Sequence, residues 1–187
     1  MPPGDPKDRI LRAAMACFAE KGYAATSMAD IEAAAGFVPR TGGTYRHFRS
    51  KQAILEAAID AELTRNDEAL APPPATLDGA ARSGLAQLDE QRALMRVLFR
   101  DLDRFPELLA RVADRLIQAP YRLVAERTAA VAPTADAEAI AAIMIGALVN
   151  YKVIETMVGE RPAGISEDRL VAAWARLYQL AIEDGAP

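Results

Sequence analysis

Apolar side chains recur at helical spacing along most of the chain, and no stretch alternates apolar and polar residues as a half-buried strand does. The first stripe predicts a helix from Lys7 to Lys21. Ser27, followed three residues later by Asp30, predicts a capping box at the start of a second helix. That helix should end at about Ala35, because Gly36 tolerates the left-handed conformation that ends helices.

The pattern remains helical to the end of the chain. A short third helix is predicted over Thr41–Phe48, and a fourth, capped by Ser50, should end near Leu70, because Pro72 to Pro74 cannot continue it. The further predicted helices are Thr76–Asp101 with a break near Gly84 or Gln91, Pro106–Gln118, Pro120–Val131, Asp136–Val158 and Glu167–Asp184. The sequence therefore predicts an all-α protein.

Charge is distributed unevenly along the 187 residues, whose formal net charge is −4. Residues 1–51 contain eight Lys and Arg against five acids, whereas residues 52–187 contain fourteen against twenty-one. The first part is therefore basic and the second acidic, as expected if only the first part meets nucleic acid. We predict a DNA-binding domain over residues 1–51 and a helical effector-binding and dimerisation domain over residues 52–187.

Several classes of protein are disfavoured by composition. One cysteine excludes an internal disulfide, and one histidine makes a Cys and His metal site improbable. The N-terminus has no apolar signal-peptide core, and the longest apolar run, Ala139 to Val149, is shorter than a bilayer span. No set of nucleophile, base and orienting residue is evident. We expect a cytoplasmic protein that does not contact membrane, is not an enzyme and has no cofactor or metal.

The stretch from Ala35 to Lys51 is the strongest candidate for a functional site. It contains four basic residues and no acid, interleaved with Tyr45, His47 and Phe48. Phenol, imidazole and guanidinium groups on one compact segment suit contact with a phosphodiester backbone. Phe48 is expected to fill the space between helices rather than to meet DNA.

The runs FAEKGYAATSMADIEAAAG and YRHFRSKQAIL resemble the DNA-binding domain of the TetR family of transcriptional regulators. The resemblance extends from Lys7 to about Ala58. One difference is that eight residues, FVPRTGGT, separate Ala35-Gly36 from Tyr45, where the family usually has six. The resemblance implies a three-helix helix-turn-helix domain, joined by a connecting helix to a C-terminal helical domain for ligand binding and dimerisation.

The resemblance also implies roles for individual residues. Tyr45, His47 and Lys51 are expected to meet phosphates, and Arg40, Thr41 and Arg46 are the candidates for reading base edges. The longer turn leaves the register of the recognition helix open. The full predicted DNA-binding set is Thr26, Ser27, Arg40, Thr41, Gly42, Gly43, Thr44, Tyr45, Arg46, His47 and Lys51.

The second half contains two further candidate sites. The last two long helices are apolar on more than one side, which favours a homodimer interface formed by Ile143, Ala147, Leu148, Ile154, Trp174, Leu177 and Tyr178. The close-packed core of one subunit is nearly as good an explanation. The resemblance implies a pocket for an apolar small-molecule effector, with the candidates Phe99, Leu102, Phe105, Tyr121, Met144, Asn150 and Tyr151.

The function predicted from these features is a ligand-responsive transcriptional regulator, in this family most often a repressor. It would bind a palindromic double-stranded DNA operator as a homodimer and respond to an unknown, apolar small molecule. The alternative is a small all-α ligand-binding or interaction protein that does not read DNA specifically. Salt-dependent retention on DNA distinguishes the two.

Overall fold

The structure, a computed structural model, describes residues 5–39, 43–70 and 75–183, and the described residues form helices and turns with no strand. The predicted all-α class is therefore confirmed. The helices are α1 Pro6–Lys21, α2 Met28–Ala34, α3 Lys51–Leu70, α4 Leu77–Glu90, α5 Arg92–Asp101, α6 Pro106–Val112, α7 Ala119–Val131, α8 Ala137–Val158 and α9 Glu167–Glu183. Single 3₁₀ turns span Thr44–Arg46, Leu102–Arg104 and Pro162–Gly164.

Local capping explains where several helices begin. The Ser27 side chain accepts from the Asp30 amide and the Asp30 carboxylate accepts from the Ser27 amide, so the predicted capping box is present. Thr76 and Asp136 accept in the same way at the starts of α4 and α8. α4 ends at Glu90 and α5 begins after Gln91, which is one of the two predicted break points.

A wide π-helical turn, Ala113–Gln118, joins α6 to α7. Pro120 follows it in the first turn of α7. Proline has no amide hydrogen and its ring crowds the carbonyl four residues earlier, so a regular α-helix would be disturbed here. The segments predicted as Pro106–Gln118 and Pro120–Val131 are therefore continuous in the structure.

The chain forms two compact units that alternate along the sequence. Unit 1 comprises Met1–Arg65 and Ala93–Arg111, and unit 2 comprises Asn66–Arg92 and Val112–Pro187. α3 therefore contributes its first fifteen residues to unit 1 and its end to unit 2. The predicted functional boundary between residues 51 and 52 is a different division, and it stays a prediction.

The core of unit 1 is built from α1, α2 and the first turns of α3. Phe18, Ile31 and Ile54 are fully buried. The end of α5 packs on the turn after α1: the Arg100 guanidinium donates to the Ala19 carbonyl at 2.8 Å, and the Asp101 carboxylate accepts from the Tyr23 amide at 2.9 Å. These bonds satisfy backbone groups at the end of α1 that the helix leaves without partners.

The core of unit 2 lies between α4, α8 and α9, with α7 packed on α8. The Trp174 indole donates to the Met144 carbonyl at 2.7 Å, and its ring stacks on Tyr178 with 5.6 Å between centroids. A Cβ placed on Gly84 would lie 3.2 Å from Leu148. Glycine at this position therefore permits the close approach of α4 to α8.

A buried lysine stands at the edge of this core. Lys152 is 1% exposed, and its ammonium group donates to Asp89 at 2.7 Å, Glu167 at 2.6 Å and Glu155 at 3.1 Å. Burial alone would lower the pKa of Lys152, but the three hydrogen bonds raise it above its ordinary value. The three acceptors lie on or next to α4, α8 and α9, so one cation links three helices.

α8 is long and apolar enough to span a membrane by length and composition, and 28% of that stretch is buried in this structure. Its contacts with α4, α7 and α9 place it inside a helical bundle. The charged Lys152 lies within it and is satisfied by protein carboxylates. Packing in the bundle therefore accounts for part of the apolar composition of this helix, while Ile143, Met157 and Val158 on it are more than half exposed.

Candidate DNA-binding surface and ligand cavity

The turn between α1 and α2 is held by short-range polar contacts. Lys21 donates to Asp30 at 2.8 Å, and Ser27 donates to the same carboxylate through its amide, also at 2.8 Å. The hydrogen bonds from Lys21 and then from Ser27 hold the pKa of Asp30 well below its ordinary value. Asp30 therefore remains ionised at neutral pH and fixes the start of α2.

A buried carboxylate connects α2 to the predicted reading segment, which is the third predicted helix, Thr41–Phe48. Glu32 is 1% exposed and accepts from the Thr44 hydroxyl at 3.1 Å and from the Thr44 amide at 3.3 Å. Thr44 is itself fully buried. Glu32 thus positions the first residue of the 3₁₀ turn that carries Tyr45 and Arg46. This role of Glu32 was not predicted from the sequence, although an acid on the buried face of α2 was a visible signal.

The residues on either side of this turn divide by exposure. Tyr45, Arg46 and His47 are exposed, with Tyr45 at 58%, while Phe48 is buried. Phe48 is thus a core residue, as predicted. In the part that the structure describes, the segment is one 3₁₀ turn rather than the full predicted helix. The predicted contacts Arg40, Thr41 and Gly42 lie outside the described residues, and Gly43 directly precedes the turn.

Lys51 does not present a free cation in this structure. Its ammonium donates to the Tyr23 carbonyl at 2.6 Å and the Thr26 carbonyl at 2.7 Å, and it lies 4.4 Å from the centre of the Tyr23 ring. This arrangement ties the start of α3 to the turn before α2. The phosphate contact predicted for Lys51 would require it to leave or share these acceptors.

Thr26 is also engaged inside unit 1. It is 1% exposed, and its hydroxyl donates to the Gly22 carbonyl at 2.8 Å, with the Cys17 carbonyl a further acceptor at 3.2 Å. Its amide donates to the Gly22 carbonyl as well. The structure therefore gives Thr26 a buried structural position, whereas the neighbouring Ser27 is exposed, and the DNA contact predicted for Thr26 stays a prediction.

A cavity of about 530 Å³ lies within unit 2. Its walls come from the end of α3, the turn before α7, and helices α4, α7, α8 and α9. Most of the lining is apolar, including Leu88, Leu116, Leu123, Val124, Ile145 and Val149. A cavity of this size and character is typical of sites that enclose small apolar ligands.

One corner of the cavity is polar. The Asn66 side-chain oxygen accepts from the amide groups of both Gln87 and Gln91, and all three residues line the cavity. The Asn66 side-chain nitrogen is buried and has no hydrogen-bond partner among the described residues. Arg127 also lines the cavity, half-buried, and the structure shows no ion pair for it within the described ranges.

The predicted effector residues do not line this cavity, and their contact with an effector stays a prediction. Phe99 is 59% exposed in unit 1, Phe105 packs against Tyr23 in that unit, and Asn150 is exposed. Tyr151 is buried with its hydroxyl donating to the Ile165 carbonyl. Of the remaining candidates, Met144 is buried in the core and Tyr121 is half-buried, and the side chain of Leu102 is not among those that the structure describes.

The predicted dimer residues fall into two groups. Leu148, Trp174 and Tyr178 are buried and form part of the cavity wall, so within one subunit they already have partners. Ile143 and Leu177 are 67% and 61% exposed, Ala147 is exposed and Ile154 is half-buried. Met157, Val158 and Leu180 are further exposed apolar side chains on α8 and α9.

Within the described residues no group of three or more His, Cys, Asp or Glu is placed to hold a metal.

Residues 10–58 match the family model described as bacterial regulatory proteins, tetR family. Over 54 residues the chain is 39% identical to the uncharacterized HTH-type transcriptional regulator YerO of Bacillus subtilis (strain 168). That match covers 29% of this chain and 18% of the relative, so the chain spans about a fifth of the length of that protein.

Two solved structures are similar over nearly the whole chain. A TetR-like transcriptional regulator from Rhodococcus sp. RHA1 has a TM-score of 0.72 and 24% identity, with 96% of each chain covered. GusR of Salmonella enterica has a TM-score of 0.68 and 24% identity, with 98% of each chain covered. At this identity the similarity establishes the fold, and both domains of the predicted architecture are included in it.

Proposed function

Since residues 10–58 match the family model of bacterial regulatory proteins of the tetR family, we propose that this protein is a cytoplasmic, ligand-responsive transcriptional regulator, most simply a repressor. It binds a palindromic operator as a homodimer and is not an enzyme. The observation that carries this proposal is the exposed Tyr45-Arg46-His47 turn, which is flanked by the buried side chains of Thr44 and Phe48. Such an arrangement presents polar side chains from a fixed backbone.

The exposed turn supports separate roles in DNA recognition. Tyr45 and His47 hold phosphates, which position the domain without reading sequence. Arg46, and Arg40 from the preceding segment, are the candidates for the guanine edge in the major groove. Lys51 contributes chiefly by holding the turn before α2, because its ammonium group is bonded to two carbonyls there.

Dimerisation is proposed to use the outer faces of α8 and α9. Ile143 and Leu177 are large apolar residues that are more than half exposed, as are Met157 and Val158, and apolar surface left exposed on one subunit favours a partner. A second copy of the chain related by a two-fold axis would cover the same face on both subunits. Two reading segments would then meet two half-sites about one helical turn, roughly 34 Å, or a multiple of it apart.

The effector is proposed to bind in the cavity of unit 2. A ligand that fits only one conformer of the protein shifts the population towards it, and the coupling appears in both ligand and DNA affinity. α3 begins directly after the reading segment and supplies Asn66 to the cavity lining. α3 therefore follows the predicted reading segment along the chain and also contributes to the cavity lining.

Selection of bound fragments from a random DNA pool tests the proposal. We expect a palindromic site to be enriched, and Arg46→Ala to relax the preference at one symmetric pair of positions. Enrichment of a palindrome would support both DNA reading and two-fold symmetry. Failure to retain any DNA at low salt would overturn the proposal and favour the alternative, a small all-α ligand-binding or interaction protein.

A further inference from the structure

The polar corner of the cavity has a donor that the protein leaves unused. Asn66 is 4% exposed, and its side-chain oxygen receives two amide donors, from Gln87 and Gln91. The amide nitrogen of Asn66 lies on the other branch of the same planar group and has no partner among the described residues. A buried donor without a partner is uncommon, because its lost hydration is not compensated.

The two glutamines define the orientation of that donor in the structure. Because both of them donate to the Asn66 oxygen, a half-turn of the Asn66 amide alone would place its nitrogen against two donors, whereas a half-turn of all three amides would keep both hydrogen bonds and leave the Asn66 oxygen unpaired instead. Gln87 and Gln91 are one helical turn apart, at the end of α4 and in the residue that follows it. In the arrangement of the structure, Asn66 thus keeps an unused hydrogen-bond donor at the polar corner of a cavity whose other walls are mainly apolar.

We propose that the ligand of this cavity has an apolar body and an acceptor oxygen, and that the Asn66 side-chain nitrogen donates a hydrogen bond to that oxygen. This inference rests on the proposed effector role of the cavity and adds the chemical class of the ligand. The oxygen belongs either to a neutral carbonyl or to a carboxylate. Arg127, which has no ion pair within the described residues, is the group in the lining that would favour a carboxylate.

Three probes with the same ring system test the head group on the full-length protein. Tetralin has no acceptor, 1-tetralone has a carbonyl, and 1,2,3,4-tetrahydro-1-naphthoate has a carboxylate. Their dissociation constants are measured by calorimetry, and each binding free energy is corrected for the measured free energy of transfer of that probe from water to hexadecane. We expect 1-tetralone to bind about tenfold more tightly than tetralin after this correction. Equal corrected affinities would overturn the inference while leaving the cavity as a ligand site.

Variants then assign the donor. Asn66→Asp, measured at pH 8, keeps an acceptor for both glutamines and removes the donor. The affinity for 1-tetralone should therefore fall about tenfold, while the affinity for tetralin should change by less than about twofold. Gln87→Leu is the matched control, because it removes a hydrogen bond from the same corner but keeps the Asn66 donor. An Asn66→Asp protein that binds 1-tetralone with unchanged affinity would overturn the assignment.

Arg127→Met separates the two kinds of oxygen. A selective loss of the carboxylate probe identifies an acid as the ligand class, and unchanged binding of that probe identifies a neutral carbonyl compound; both outcomes agree with the inference. If none of the three probes binds to the unmodified protein at about 1 mM, the limit of weak affinity, the effector role proposed for the cavity fails and the inference fails with it.

Discussion

Replacing Lys152 by Met should cost unit 2 much of its stability. The methionine fills a similar volume but removes the buried cation that joins Asp89, Glu155 and Glu167, and these carboxylates keep the more exposed Arg92 and Arg161 as partners. Removing one partner of a buried ion pair costs roughly 3 to 5 kcal/mol. Because the side chains of Asp89 and Glu167 are 39% and 35% exposed, water compensates part of the loss, and we expect about 3 kcal/mol, the lower end of that range.

The measurement is urea unfolding followed by the fluorescence of Trp174, the single tryptophan of the chain, which lies in the core of unit 2. Arg82→Ala is the control, because it removes an exposed pair with Asp168 at 2.8 Å and should change stability by less than about 1 kcal/mol. A Lys152→Met protein whose free energy of unfolding lies within about 1 kcal/mol of that of the unmodified protein, which is the effect of a surface ion pair, would refute the reasoning.

The same substitution should lose its effect in acid. Burial raises the pKa of Asp89, but the hydrogen bonds from Lys152 and Arg92 outweigh burial and hold this pKa below its ordinary value. Hydrogen bonds from Arg161 and Lys152 likewise hold the pKa of Glu155 below its ordinary value. Carboxylates with depressed folded pKa values stabilise the fold above their unfolded pKa and lose this contribution as pH falls through the folded value. The difference between the two proteins should therefore be fully present at pH 7 and shrink below about pH 4.

Three further predictions concern the DNA-binding and dimer surfaces. Lys51→Met should lower the stability of unit 1 by about 1 to 2 kcal/mol in urea unfolding followed by circular dichroism, because the carbonyls of the turn lose a charged donor; an unchanged midpoint would contradict this. Tyr45→Phe should weaken binding to operator and to scrambled DNA equally in filter binding, whereas Arg46→Ala should cost roughly 1 to 3 kcal/mol of binding free energy on the operator alone. The reverse pattern would exchange the roles of the two residues. Leu177→Arg should produce folded monomers in sedimentation, since this side chain is 61% exposed within one subunit, and a dimer of unchanged affinity would place the interface elsewhere.

The part of the site that could be predicted from the sequence depends on short-range chemistry. The capping box of Ser27 and Asp30 requires residues three positions apart, so its outcome follows from local spacing. The reading segment was recognisable because basic and aromatic residues are concentrated there without acids. Its support by Glu32 was not predicted, since that contact joins residues twelve positions apart in different elements.

The helical class, most helix ends and the basic character of the first domain were determined by the sequence alone, because periodicity, caps and charge are properties of neighbouring residues. Whether an apolar residue belongs to a core, a cavity wall or a subunit interface was decided only by tertiary structure. Leu148, Trp174 and Tyr178 share their helices with Ile143 and Leu177, yet the first three line an internal cavity and the last two face outwards. All of these residues satisfy the same helical pattern, since burial depends on which distant helix packs against each side. For the same reason the sequence did not show that Asn66, Gln87 and Gln91 would meet in one corner of the cavity.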